Sequence, residues 1–250
     1  MNKYFASFML LIAFFITNCS VDNTVAHKPS IGIPNIQDSE HFTFVLYDGL
    51  SQNITIQILN KLEENYARVL GDFTLTSMNK VTVKIWNDET HFLDDMQRDI
   101  GTRYTGASGY VYSPYDIRFL YKGINAQTAL HEFCHAASLV VNSRFGNNPR
   151  WLWEAVAIYE SGELINPKSI SYLVNGNFPT LAELNSDYNT GNYKIYEVGY
   201  LLPEYIIKRW GKDSYVDLIK SSGNLQLTLV VTQQSFEVGW KQFVENKYLK

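Results

Sequence analysis

The feature that most constrains this chain is an H-E-x-x-H pattern at residues 131–135. On a helix, residues four apart lie on the same face, so the imidazoles of His131 and His135 can bind one metal ion. Glu132 lies about 100° further round the helix, where it can accept a proton from a water molecule without binding the ion itself. The flanking residues are largely apolar and contain no proline, which favours such a helix.

A second predicted helix, over residues 147–162, offers a third metal ligand. Asn148 can cap this helix, Pro149 suits its first position, and Gly162 can end it. Most of its other residues are apolar, and the carboxylate of Glu154 among them needs a partner. A catalytic zinc ion takes three protein ligands and one water molecule. We therefore expect Zn²⁺ bound by Glu154 together with the two histidines.

The spacing of these ligands resembles that of a known family. Residues 136–153, eighteen in number, separate His135 from Glu154. This resembles the H-E-x-x-H-x18-E arrangement of the gluzincin zinc metallopeptidases, the thermolysin and aminopeptidase-N superfamily. The resemblance is greatest to the peptidase MA-like domains of bacterial secreted and lipid-anchored proteins, and it covers residues 41–223.

The sequence around Glu154 both matches this family and departs from it. Residues 151–157 are similar to the family's W-L-x-E-G-x-A segment. Ala155 stands where the family usually has glycine, and Trp153 stands where asparagine is common. Neither departure removes a metal ligand.

The resemblance implies a fold and an activity. The fold is α+β, with a small mixed twisted sheet followed by a mainly helical lobe and the zinc-site helices at the cleft, as in a thermolysin-like catalytic domain. The activity is that of a zinc-dependent peptidase acting on a peptide or protein substrate, with Glu132 as the general base. Ile158 stands where thermolysin relatives carry an acid beside the metal site. Glu160 and Glu163 are the candidates to replace that acid.

A tyrosine is implied by the same resemblance. Tyr196 opens a Y-E-x-G segment, residues 196–199, which resembles the segment of the aminopeptidase branch whose tyrosine donates a hydrogen bond to the oxyanion. Tyr193 and Tyr200 lie about one turn away on either side and remain alternatives. Because the chain has 17 tyrosines, a packing role is open for each of them.

Secondary structure is predicted on both sides of the metal helix. The downstream sequence predicts a helix over residues 193–210, kinked at Pro203 or broken near Leu202. In the family resembled, an edge strand of the upstream sheet pairs with an extended peptide, and either the third or the fourth predicted strand can take that part. The four predicted strands cover residues 41–47, 80–86, 106–112 and 116–121.

The N-terminus predicts export. Residues 1–18 form a signal peptide, in which a positive charge precedes an apolar stretch that is too short for a comfortable membrane span. Residues 16–19 resemble a bacterial lipobox, whose cysteine carries lipid. We expect a lipid anchor on Cys19 in the bacterial cell envelope, with the outer membrane favoured because Ser20 follows. The alternative is an ordinary signal peptide and a secreted protein.

Composition and charge restrict the remaining organisation. We expect a polar tether over residues 19–40, one domain over residues 41–223, and a helical extension of that domain over residues 224–250. The net charge of −4 excludes a strongly basic nucleic-acid surface. Cys134 is predicted to be a buried core residue, as free cysteines usually are. The sequence does not indicate an oligomeric state.

Two other functions were weighed against a peptidase. A surface binding module could use the same cleft with little or no turnover, but such a module has no need of the base Glu132. A structural zinc site would be closed by four protein ligands, and the sequence offers no obvious fourth.

Overall fold

The computed structural model describes residues 10–11, 33–186 and 191–250. Strands and helices both occur in it, which confirms the predicted α+β class. Across these residues, none of the helices combines the length and the apolar character needed to cross a bilayer.

The chain divides into two compact units. The first comprises residues up to Ala67 together with Asn79–Glu132, and the second comprises Arg68–Met78 together with Phe133–Lys250. Each unit is therefore built from separate stretches of the sequence.

The first unit contains a mixed β-sheet. Its strands in the described residues are β1 (Leu10–Leu11), β2 (Asn35–Asp38), β3 (Phe42–Leu46), β4 (Val81–Trp86), β5 (Ala107–Ser113) and β6 (Asp116–Leu120). They lie in the order β1-β5-β6-β4-β3-β2. The central pairs β3–β4 and β4–β6 are parallel, whereas β2 and β5 run antiparallel to β3 and β6.

Alternating burial explains the strands that the sequence predicted. In β3, Phe42 and Phe44 are buried while the residues between them are half-buried, and β4 repeats this pattern. The period of two places one set of side chains in the core. β2 has no such period, because three of its four residues are exposed. It lies inside the predicted tether, residues 19–40, so the sheet begins earlier than the sequence indicated.

The order of the strands shows how far each of the two predicted edge strands is covered by a neighbour. β6 lies between β4 and β5, so it is an interior strand. β5 is the outer strand of this side apart from its parallel pairing with Leu10–Leu11. Those two residues fall within the predicted signal peptide, residues 1–18. The rest of that segment and Cys19 lie outside the described residues.

Three helices accompany the sheet in sequence: α1 (Ile56–Asp72), α2 (Glu89–Ile100) and α3 (Ala126–Val141). Asp88 caps α2 by accepting hydrogen bonds from two backbone N–H groups of its first turn, and Gly101 ends it in the left-handed region at φ 74°. α1 continues through Gly71 and ends at Asp72. α3 begins in the first unit and ends in the second.

The second unit is mainly helical. Trp153, Tyr215 and Trp240 are among its largest fully buried side chains. The helices described here are α4 (Arg150–Ser161), α5 (Ser171–Val174), α6 (Leu181–Leu184), α7 (Lys194–Val198), α8 (Leu201–Trp210), α9 (Lys212–Lys220), α10 (Leu225–Leu229) and α11 (Gln233–Val244). The two α-helices α10 and α11 lie within residues 224–250, where the sequence predicted a helical extension, and Phe236 and Trp240 of α11 are buried.

Two helices, α7 and α8, replace the single helix predicted over residues 193–210. The break lies at Gly199 and Tyr200, ahead of Pro203. Pro203 occupies the first turn of α8, where a backbone N–H has no partner within the helix. The missing N–H of the proline is therefore harmless. Of the two predicted alternatives, the break is confirmed, slightly before Leu202, and the kink at Pro203 is wrong.

A buried acidic residue connects α1 to α4 within the second unit. Glu160 is buried, and one guanidinium nitrogen of Arg68 lies 3.2 Å from its carboxylate and 2.9 Å from that of Asp72. Lys212 also pairs with Asp72. Burial, and then repulsion by Asp72, raises the pKa of Glu160 to about 8. Glu160 therefore holds its proton in the folded protein at a pH where the unfolded chain has lost it.

We predict that this acid makes the protein less stable as the pH rises. Its contribution is fully present below the ordinary glutamate pKa of 4.5 and is lost as the pH rises to about 8. Relative to wild type, Glu160→Gln should gain free energy of unfolding across this range, by at most about 1.4 kcal/mol per pH unit. Urea denaturation at several pH values measures the difference. The exposed control Glu64→Gln should show no such trend; parallel curves for Glu160→Gln and wild type would contradict the assignment.

Candidate metal centre

Helix α3 carries both predicted histidine ligands. Asn125 caps its start: its side-chain oxygen accepts a hydrogen bond from the backbone N–H of Thr128 at 2.9 Å. Thr128 itself lies inside the helix. His131 and His135 are 3% and 0% exposed. One turn of helix separates them, as the sequence predicted.

Helix α4 carries the predicted third ligand. Every residue of this helix except Tyr159 is buried, including Glu154, which is fully buried. Gly162 ends the helix at φ 82°, as predicted. The predicted start is wrong by one residue: Pro149 is the extended N-cap residue, and Asn148 precedes it. The apolar burial of α4 fixes the direction in which Glu154 points.

The three predicted ligands come together. One ligand atom from each of His131, His135 and Glu154 lies within 4.8 Å of the others. The Nε2 atom of His135 is 3.7 Å from Oε2 of Glu154. Ligands about 2.1 Å from a tetrahedral zinc ion lie roughly 3.4 Å apart, so this distance is close to that of a bound site. Two imidazoles and a carboxylate are also a donor set that zinc accepts in catalytic sites.

The charge of this region favours a cation. Glu132 and Glu154 are both fully buried. Removing a carboxylate from water is costly unless hydrogen-bond donors or positive charge compensate. A divalent cation beside these residues would balance both negative charges, and therefore the residues present fit zinc.

Two residues between the histidines, Glu132 and Cys134, lie outside the group of predicted ligands. Glu132 belongs to the H-E-x-x-H pattern but not to the three-residue ligand cluster. Cys134 is a fully buried free cysteine, which confirms the prediction of a core residue. Burial raises the pKa of its thiol well above the ordinary value. The neutral thiol is therefore the form present at neutral pH.

Tyr196 lies beside an arginine that the sequence analysis did not single out. The guanidinium of Arg150 donates a hydrogen bond to the Tyr196 hydroxyl oxygen at 3.3 Å, and its carbon lies 5.6 Å from the centre of the tyrosine ring. Arg150 also donates to the backbone oxygen of Ser186 at 3.2 Å. Because the Tyr196 oxygen accepts from Arg150, the hydroxyl hydrogen can be directed to another acceptor.

A close approach of two helices positions Tyr196. A β-carbon added at Gly199 would lie 2.6 Å from the Ile158 side chain and 3.4 Å from the α-carbon of Ala155. Only glycine permits this separation between α7 and α4. The glycine of the Y-E-x-G segment thus has a packing reason, and so does the small residue at position 155.

The alternative tyrosines have other surroundings. The ring of Tyr200 packs against that of Tyr159 with centroids 4.9 Å apart, which is a packing contact. Tyr193 precedes α7 as its N-cap residue. Tyr196, by contrast, accepts a hydrogen bond from Arg150.

The candidates for the missing acid also have identified contacts. Glu160 pairs with Arg68, and Glu163 accepts a hydrogen bond from the Ser161 hydroxyl at 2.5 Å. Ile158 occupies the position of the acid and is buried. These contacts therefore give neither Glu160 nor Glu163 the role of orienting a metal ligand.

Two residues near the ligands were missed as functional candidates. Trp153 appeared only as a departure from a family pattern, and it stacks on His135. Arg150 lies four residues before Glu154 and therefore on the same side of α4. That spacing was the available signal for the arginine. The stacking of Trp153 depends on a contact between two helices, which no local pattern indicates.

The chain matches no protein-family model and no curated protein. The resemblance to the gluzincins therefore stays a prediction from the sequence. The chemistry and the arrangement of the residues of the H-E-x-x-H-x18-E pattern carry the functional argument.

We predict that Glu154 is required for tight zinc binding. Removing one of three protein ligands should lower affinity by more than the roughly 10–100-fold that loss of an outer partner costs. Glu154→Gln and Glu160→Gln are matched variants, because both remove a buried acid from α4. Zinc content after dialysis and competition with a chromophoric chelator measure the effect. Glu160→Gln should bind zinc as wild type does. The assignment of Glu154 as a ligand fails if Glu154→Gln does so too.

Proposed function

We propose that this chain is a zinc-dependent peptidase of the thermolysin-like kind. The observation that carries this proposal is the grouping of His131, His135 and Glu154 within 4.8 Å, with Glu132 next to the first ligand on the same helix. A buried base beside a three-ligand site is the composition of a hydrolytic centre. A module that only binds peptide would need no such base.

The proposed mechanism uses Glu132 as the proton carrier. Zinc, when bound, supplies a Lewis acid that polarises the scissile carbonyl and acidifies a water molecule. Glu132 accepts a proton from the attacking water and then donates it to the amine nitrogen that leaves. Its location one residue from His131 keeps it near the ion without competing for it.

Tyr196 is proposed to donate a hydrogen bond to the oxyanion. Its oxygen accepts from Arg150, so its own hydrogen can be directed at the negative charge that develops on the substrate carbonyl. The guanidinium also places a positive charge beside the phenol. Arg150 therefore supports both the orientation and the electrostatics of this donor.

The proposed substrate is an extended peptide. β5 is the candidate strand for pairing with its backbone, because β6 is interior. Pairing of this kind holds a substrate through main-chain hydrogen bonds and selects little by side chain. Broad rather than narrow sequence selectivity is thus part of the proposal.

Glu132→Gln tests the proposed function most directly. The variant should bind zinc as wild type does, since Glu132 is not a ligand, and should lose about 10²–10⁴-fold in turnover of a quenched fluorescent peptide library. Glu160→Gln is the control, since it makes the same substitution at another buried glutamate. Retained peptidase activity in Glu132→Gln would remove the base assignment.

A second variant tests the oxyanion donor. Tyr196→Phe should lower kcat by roughly 10²–10³-fold with little change in KM, because the hydrogen bond is needed in the transition state. Tyr200→Phe, four residues away in packed surroundings, should keep wild-type kcat. Equal rates for wild type and Tyr196→Phe would move the role to another residue.

A further inference from the structure

The indole ring of Trp153 contacts a predicted metal ligand and a second aromatic ring. The indole of Trp153 and the imidazole of His135 have ring centres 4.0 Å apart and planes inclined by 14°. On its other contacts, the indole meets the ring of Phe145 edge-on at 5.5 Å. All three residues are at most 1% exposed. The indole therefore contacts both a second aromatic ring and the imidazole in a buried environment.

Such a stack restrains the motion that matters most for a histidine ligand. The ring of a histidine turns about a torsion with a broad, soft energy profile, so neighbours must define its plane. A ring nitrogen binds a metal through a lone pair that lies in this plane. Rotation of the His135 ring would turn the lone pair away from the ion, and the parallel face of Trp153 blocks that rotation.

The stack also favours the loaded form of the site. An imidazole bound to a divalent cation takes on part of the positive charge. The indole face carries the negative part of a quadrupole and is the best aromatic partner for such charge. Attraction between Trp153 and His135 is therefore stronger with the metal bound than without it.

We propose that Trp153 is a positioning residue of the metal centre, which orients the His135 imidazole by stacking and thereby raises zinc affinity. This inference rests on the proposed zinc site. It gives a task to the tryptophan at a position where the resembled family often has asparagine, in a chain where Ile158 replaces the usual acid. Helix α4 then supplies one ligand, Glu154, and the orientation of another.

Zinc affinity in variants tests this role. Chelator competition with Zn²⁺ should show a loss of about 10–100-fold for Trp153→Leu, the range expected for loss of an outer partner. Trp153→Phe keeps an aromatic face and should retain most of the affinity. Trp86→Leu is the matched control: Trp86 is equally buried and stacks on Tyr47 at 4.6 Å, with planes inclined by 12°.

Tryptophan fluorescence gives a readout that does not depend on the leucine variant folding. Adding Zn²⁺ to the metal-free protein should change the emission of wild type and Trp86→Phe, but not that of Trp153→Phe. A zinc-dependent change that persists in Trp153→Phe, or equal zinc affinity for Trp153→Leu and wild type, contradicts the positioning role of Trp153. Neither result contradicts the metal centre. Wild-type protein that binds no zinc contradicts the proposed metal centre itself.

Discussion

The convergence of His131, His135 and Glu154 is the constraint on which the rest of the site depends. One helical turn brings the two imidazoles together, and the burial of α4 brings the carboxylate to them. These groups and Glu132 are almost entirely removed from water. Four ionisable side chains are buried in one place, and a divalent cation bound by three of them, as proposed above, would stabilise their negative charge.

Helix α4 has more than one task in this arrangement. It brings Glu154 to the two histidines, stacks Trp153 on His135, and directs Arg150 at Tyr196. These contacts come from one twelve-residue helix that is buried on nearly every side. Gly199 lets α7 approach it closely enough for the arginine to reach the tyrosine. A rigid, buried helix is a suitable support, because a site held on regular structure keeps its geometry better than a site on loops.

Local sequence patterns were sufficient to predict that His131, His135 and Glu154 lie together, but they did not predict the residues around this cluster. Helical spacing, capping residues and an acid in an apolar helix predicted the metal cluster, and alternating burial predicted strands such as β3 and β4. β2 escaped prediction because it is polar and mostly exposed. The break between α7 and α8 was predicted near Leu202 but lies at Gly199 and Tyr200, because the close approach of Gly199 to a neighbouring helix is not visible in the sequence. Contacts between distant residues, such as the one between Trp153 and His135, leave no periodic signal in the sequence.

X-ray absorption at the zinc edge of the zinc-loaded protein tests the central claim most directly. Coordination by two imidazoles, one carboxylate and a water molecule predicts nitrogen and oxygen neighbours at about 2.0–2.2 Å, with the multiple-scattering signature of two histidines. A sulfur neighbour near ~2.3 Å, or a spectrum without imidazole scattering, would contradict it, because zinc would then be bound by residues other than His131, His135 and Glu154.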